Sequence, residues 1–428
     1  TKHVLENMLA TMYWQYFQQN RYQFYNRTKT STKVNDDFRT WDLETLFKEI
    51  HTYFERSLQN GLLLQQEPVS NYKTLLVTFI NSKNYRPTLY DLLSHNALEF
   101  YKTDENSIAQ PAYKFTIDQT SYLSDSEDFI NINLNSKDTL SLQRNALKIY
   151  QDLLKFHRKD QSSIAYVDAD IARLDFVQQH ATFNDKEDLL LKALKTKAEQ
   201  LKTSPLSALY NFEIATLYQN QGQRYNSNSN TNITDDANRW KLKDAIALCD
   251  LTITAFPKSR GAVNCAILKS KILQPQLNLQ AEQYIPTDAP SRLLVSYKNL
   301  KRLDFSIYKI NNAQLNNFNS RYDSQEKENF FKDLKITEHF SSTLKIENDY
   351  QQHRTELVLP NLANGLYIIK ADTNSEISVF AAAHIQVTNL ALLESTENKH
   401  ISYQLINRNN GKPIVGSRIK LSYTDNKN

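Results

Sequence analysis

The sequence predicts a multidomain chain of two classes, an all-α helical solenoid followed by all-β antiparallel sandwich domains. Three observations carry this expectation. At 428 residues the chain exceeds what one hydrophobic core serves, since domains run roughly 100 to 200 residues. The spacing of apolar residues changes after Pro275, from the helical period of about 3.6 to the simple alternation of a strand. Only 6 glycines and 10 prolines are present, and most stand at expected element boundaries, which suits long helices followed by strands and excludes collagen-like or low-complexity chains.

In chain order, Lys2 to about Asn26 reads as a helix with Leu5, Leu9, Met12 and Tyr16 on one face, widened by Tyr13, Trp14 and Phe17. So broad an aromatic stripe is read as core. After a polar loop, Thr40-Trp41-Asp42-Leu43-Glu44 looks like a helix start, with a hydroxyl to cap it and acids in its first turn, running to Gly61. Pro87 suits the first turn of the next helix, through Tyr90, Leu93, Ala97 and Phe100. Between Thr103 and Ser136 the periodicity fails, and an ordered connector or a short strand-containing loop is expected. Leu142, Ala146, Ile149, Leu153 and Phe156 restore a helical stripe, with further helices near Val167–Val177 and Leu189–Leu201.

Within Ala208–Pro257, Ala215, Tyr218 and Gly222 occupy the places where the first helix of a tetratricopeptide repeat wants a small residue, a Tyr and a turn Gly. Ala245, Cys249, Thr252 and Pro257 match the second helix. The match to this repeat is partial, because Gln223–Trp240 is a polar insertion, so an irregular tetratricopeptide-like solenoid is expected. Tyr218 and Ala245 should then pack between paired helices.

Beyond Pro275, Leu293, Val295 and Tyr297 alternate with polar residues, as do Leu303, Phe305 and Ile307. A polar, partly helical excursion, Asn311–Asn348, separates these from expected strands at Thr355–Leu359, Gly365–Ala371 and Ile377–Leu393. Short strands without intervening crossover helices argue for an antiparallel sandwich. At the end, Ile401, Tyr403 and Leu405 precede a Gly and Pro turn, and Ile419, Leu421 and Tyr423 follow it, so a strand-turn-strand is expected there, opening a domain that continues past Asn428. The expected divisions are a helical region over 1–136, a helical array over 137–275, a sandwich over 276–394 and the start of a further β domain over 395–428.

Composition bounds the function. Hydrophobic content of 40% and charge of 23% describe an ordinary globular chain, with no apolar run near the roughly 20 residues of a membrane helix. The net charge of +4 is spread without a basic block, so no nucleic acid is expected as a partner. Cys249 and Cys265 fall on successive expected helices and are read as small buried apolar residues, with raised thiol pKa values, rather than a metal pair or a reactive thiol. Gly-x-Ser-x-Gly, His-Glu-x-x-His and Gly-rich phosphate loops are missing. The 9 histidines lack metal-ligand spacing, and a lone one such as His95 is read as structural. No catalytic, cofactor-binding or metal-binding residue is therefore assigned.

Three C-terminal stretches, LVLPNLANGLYIIKAD (Leu357–Asp372), HIQVTNLALLES (His384–Ser395) and NRNNGKPIVGSRIKL (Asn407–Leu421), resemble the macroglobulin-like domains of bacterial alpha-2-macroglobulin proteins. MYWQYFQQNRYQF (Met12–Phe24), RTWDLETLF (Arg39–Phe47) and RPTLYDLLSHNALEFY (Arg86–Tyr101) look like the helical leader of one branch of that family. The resemblance implies an extracytoplasmic protein of the periplasm or cell surface, associated with the outer membrane, with a lipid anchor upstream of Thr1, whose partners are proteases or envelope proteins. It also implies that proteases are captured by a Cys-Gly-Glu-Gln thioester. Here Cys249 is followed by Asp250-Leu251-Thr252 and Cys265 by Ala266-Ile267-Leu268, so neither forms one. Two readings stay open, a non-catalytic framework for protease trapping or inhibition and an interaction scaffold for an envelope complex such as one with a transporter.

Overall fold

The computed structural model describes residues 1–27, 35–104, 113–160, 163–225, 236–287, 289–373, 379–398 and 400–421. Over these the chain is helical through Leu273 and rich in sheet beyond it. It divides into two compact units, Thr1–Leu217 with Ala247–Ile267, and Tyr218–Ile246 with Leu268–Asn428. The helical part comprises α1 (Lys2–Tyr25), α2 (Leu43–Ser57), α3 (Gly61–Gln66), α4 (Ser82–Tyr85), α5 (Leu89–Tyr101), α6 (Ser126–Ile130) and α7 (Leu142–His157). There follow α8 (Ile164–His180), α9 (Lys186–Gln200), α10 (Ser207–Gln223), α11 (Asp236–Arg239), α12 (Lys241–Ala255) and α13 (Arg260–Leu273). Among the described residues no helix is long and apolar enough to cross a membrane.

The inward face of α1 differs from the expected stripe. Ala10, Tyr13, Trp14 and Phe17 are buried, whereas Leu5 and Met12 stand 58% and 45% exposed. Aromatic rings carry more apolar area than Leu or Met, so their face wins the core. Trp14, Phe17, Phe47 and Phe100 join α1, α2 and α5 through centroid distances of 5.0–5.5 Å. On the same face Asn7 donates to Ser57 Oγ and to the Leu93 carbonyl, each at 3.1 Å.

Helix starts are set by side chains that reach a free amide of the first turn. For α2 that group is the Asp42 carboxylate, which accepts from the Thr45 amide at 2.8 Å, while the Thr40 hydroxyl donates backwards to Asn35 and Asp37. The helix stops at Ser57, and Gly61 opens α3 instead. Helix α5 begins at Leu89, beyond Pro87, because Thr88 and Asp91 form a reciprocal capping box that a proline cannot make. Between Thr103 and Ser136 the described residues hold the 3-10 turn Thr120–Leu123 and α6, with no strand; 105–112 lie outside them.

Small residues mark the close approaches of α10. Gly261 of α13 faces it so tightly that a Cβ would stand 2.1 Å from the Ala208 carbonyl oxygen. Gly222 lies inside the last turn of α10 rather than in a turn, and a Cβ there would come within 2.8 Å of Leu242. Ala215, Ala245, Cys249 and Thr252 are buried; Tyr218 is only half-buried, its ring 4.8 Å from the Lys241 ammonium. These contacts make paired helices, and they do not establish a tetratricopeptide-like solenoid. Of the polar insertion Gln223–Trp240, residues 226–235 lie outside the described ones.

The strands are β1 (Gln276–Ala281), β2 (Tyr284–Ile285), β3 (Arg292–Lys298), β4 (Arg302–Ile310), β5 (Ile336–Thr343), β6 (His353–Val358), β7 (Gly365–Asp372), β8 (Phe380–Val387), β9 (Leu390–Glu397) and β10 (His400–Asn407), with helices α14 (Asn312–Asn319) and α15 (Ser324–Phe330) after β4. A five-stranded sheet in the order β2-β8-β7-β4-β5 and a three-stranded sheet β1-β3-β6 share one apolar core. Leu293, Val295, Leu303, Phe305 and Ile307, the residues singled out by alternation, lie at its centre without solvent exposure. The sandwich is mixed, since β2 pairs β8 in parallel.

Three expectations change here. The excursion Asn311–Asn348 contains α14 and α15, whose Phe318 and Phe330 join Tyr308, Ile310, Phe331 and Ile368 in a second small core, and it also contains the edge strand β5, hidden from alternation by its exposed, polar sequence. The strand expected over Ile377–Leu393 is two strands in different sheets, broken at Thr388-Asn389; Ile377 itself lies outside the described residues. Finally, β10 pairs β9 over its whole length, and no strand follows through Leu421. Gly411 and Gly416 hold φ of +68° and +73°, a conformation that ends extended backbone; Tyr423 lies outside the described residues.

Candidate functional site

The two thiols meet. Cys249 on α12 and Cys265 on α13 are wholly buried, and a hydrogen bond from Cys249 pulls the Cys265 thiol below its ordinary range, helped by Thr252 and opposed by burial. For Cys265 this corrects the expectation that burial raises the thiol, because a neighbouring donor stabilises the thiolate more than desolvation penalises it. The pair is closed to external acyl groups. Glu213 of α10, which bears on the same thiol, has its carboxyl pushed up to about 7 by burial and then by Asp175 and Asp168.

His95 of α5 sits with Nδ1 2.9 Å from the Asp91 carbonyl, and its Nε2 has no partner among the described residues. Burial first, then the Arg86 charge, drive its pKa down to about 3, so it stays neutral. The neighbouring Asp91 carboxylate pairs with His157 Nε2 at 2.6 Å and accepts from the Thr88 hydroxyl at 2.7 Å and amide at 3.1 Å. With both members buried, this imidazole–carboxylate pair ties α5 to α7 and offers no face to a substrate.

The helical unit also holds a cleft of about 330 Å³, lined by α8, α9 and the Thr120–Leu123 turn. At its floor Arg173 is fully buried. Its guanidinium pairs with Asp170, donates to the Tyr122 and Ser124 carbonyls at 2.9 and 3.0 Å, and lies 4.7 Å from the Phe129 ring. The Tyr210 hydroxyl donates to Asp170 at 2.9 Å, and Lys197 pairs with Asp125 at 2.9 Å. Charges already paired under an apolar wall of Leu123, Leu174 and Leu189 suit bracing better than chemistry. The signal in the sequence is an Asp-x-x-Arg spacing in a helix that also carries Asp168 and Asp175, ambiguous with a surface pair.

In the β-rich unit, Arg239 donates to Asp349 at 2.9 Å and to Glu347 at 3.0 Å, while Gln351 donates to the Gly222 and Arg239 carbonyls. Burial opposes ionisation of Asp349, but hydrogen bonds from His353, the Gln351 amide and Arg239 outweigh it and hold the carboxyl below its usual range. Asn348 and Tyr350 take positive φ on either side, a strained path held by these bonds. Among the described residues no group of three or more His, Cys, Asp or Glu is placed to hold a metal ion.

No family model matches the chain, and no curated relative matches it. Among solved structures it is similar to a fragment of Escherichia coli alpha-2-macroglobulin spanning domains MG0-NIE-MG1, at 14% identity and a TM-score of 0.24, over 32% of this chain and 47% of that one. A second fragment, spanning NIE-MG1, is 13% identical with a TM-score of 0.25, over 33% of this chain and 74% of that one. A red sea bream transglutaminase is 11% identical with a TM-score of 0.19, over 34% of this chain and 22% of its own. The chain thus spans about half the length, 47%, of the first of these structures. Likeness at these TM-scores establishes neither family nor activity.

Proposed function

We propose that the chain is a non-catalytic, N-terminal part of a bacterial alpha-2-macroglobulin-like envelope protein, supplying framework and docking surface for protease trapping or inhibition. One observation carries the reading. The three stretches that resemble macroglobulin-like domains fall at consecutive strand junctions of one β region: Leu357–Asp372 runs from β6 through β7, His384–Ser395 from β8 into β9, and Asn407–Leu421 leads out of β10. The burial of both thiols supports a non-covalent role, since capture by acyl transfer needs an accessible thiolate or thioester. An extracytoplasmic location belongs to the same reading.

The chain should retain at least one of a panel of endopeptidases on native gel filtration without forming a denaturant-resistant conjugate. A conjugate that disappears in Cys249→Ala or Cys265→Ala would replace this reading with covalent capture. Failure to retain any endopeptidase removes the docking role. The second reading, a scaffold for an outer-membrane transporter or another envelope protein, is favoured by the paired helices α10 and α12, since stacked helix pairs present faces to partner segments.

A further inference from the structure

A different surface stands out in the helical unit. Leu75, Val77, Phe79 and Ile80 are 66, 88, 78 and 94% exposed. Isolated exposed apolar residues need no explanation, but this concentration within one short span does. Thr74–Ile80 contains no charged residue, and it is bracketed on one side by Tyr72-Lys73 and on the other by Lys83 and Tyr85. From Pro68 to Tyr90 there is no acidic residue at all. Lys73 and Lys83 are exposed, and the third cation, Arg86, is committed to Asp168 at 2.8 Å.

We infer that Leu75–Ile80 is a bilayer-contact finger, seating its apolar side chains at the acyl boundary of an anionic lipid surface while Lys73 and Lys83 meet the headgroups. The order of chemistry along the chain is that of a membrane interface: aromatic and cation, apolar tip, cation and aromatic. Backbone geometry sets the depth. Among the described residues the amides of Leu76, Val77 and Thr78 make no backbone hydrogen bond, and hydrocarbon does not tolerate such groups, so the tip stops where water still reaches. An exposed sheet edge of a protein partner would also satisfy those amides, but strand addition gives no reason for cations at both ends without a single acid between them. The contact is independent of any role in protease capture.

The test is co-sedimentation of the chain with phosphatidylcholine vesicles, with and without phosphatidylglycerol. Binding to the anionic vesicles is expected, falling roughly tenfold or more in the triple variant Val77→Ser, Phe79→Ser, Ile80→Ser, whose circular dichroism should be unchanged because none of the three is in the core. The Lys73→Glu, Lys83→Glu variant should lose the preference for phosphatidylglycerol. In a Phe79→Trp variant, indole emission should shift to the blue on adding those vesicles. Equal sedimentation of the chain and the triple variant, or indole emission that stays water-like, overturns the inference. So does a dimer in solution that the triple variant abolishes without any vesicle binding, which would assign the surface to a second copy.

Discussion

The helical unit and the β-rich unit bury their polar groups in opposite ways. The helical unit places charge inside: Asp170 and Arg173 have no solvent exposure, and Asp91 pairs with a buried His157. The sandwich core is built of aliphatic and aromatic side chains, and the Arg239–Asp349 pair of this unit, whose carboxylate is buried, keeps 25% of the Arg239 side-chain surface in water. Dehydrated charges specify a geometry at the risk of leaving one partner uncompensated. An apolar core is insensitive to pH and depends on filled volume.

The largest effect is expected from Asp170→Ala, which strands the Arg173 guanidinium without its carboxylate and should cost about 4 kcal/mol. Hydrogen exchange of α8 and α10 amides measures it, and the paired substitution Asp170→Leu with Arg173→Met should recover most of the loss. If Asp170→Ala is silent, the buried pair does not carry the helical unit. In the sandwich, Ile307→Ala should cost about 3 kcal/mol through an unfilled cavity, by the same amount at about pH 5 and about pH 8, because the titratable groups in the core, Tyr297 and Tyr367, are raised further by burial and stay protonated over that range. A pH-dependent cost in urea titrations of β4 protection would erase the contrast.

Glu213 sharpens it. Its carboxyl is raised to about 7 in the folded chain from 4.5, so the folded state binds its proton more tightly, and stability present below the lower value is lost as pH rises through the upper one. Glu213→Gln should therefore raise the melting temperature near pH 8, by about 2 kcal/mol of stability after allowance for its partial exposure, and leave it unchanged near pH 4. A gain that persists at the acid end would mean the carboxylate is not the cause. The smallest effect is expected from Arg239→Ala, about 1 kcal/mol and reduced by salt, because Arg239 is partly exposed and Asp349 keeps its bonds to His353 and the Gln351 amide; a loss as large as that of Asp170→Ala would show that this pair is as dehydrated as the helical interior.

Legibility followed the same divide. Alternation exposed the centre of the sandwich because two sheets facing each other leave a strand only one inward side, so Leu293 to Val295 and Leu303 to Ile307 could be read directly. In α1 the apolar residues run round the helix, and nothing local chooses between the Leu5–Met12 face and the Ala10–Phe17 face. The edge strand β5 carries no apolar pattern to read. Of the bracing groups, Asp91, His157, Asp170 and Arg173 come from ordinary polar residues whose partners lie on other helices or in spacings shared with surface pairs.

Local chemistry in the sequence was enough to determine the change of class near Pro275, since the spacing of apolar residues depends on positions a few residues apart; it placed the starts of α2 and α5 only to within a few residues, at Thr40 and Pro87 where Asp42 and Thr88 form the caps. Tertiary structure alone decided which face of α1 is inward, that Cys249 and Cys265 share a hydrogen bond, and that β9 joins β10 rather than the five-stranded sheet. Those outcomes turn on which distant surfaces bury the most apolar area together, a quantity that no single segment carries.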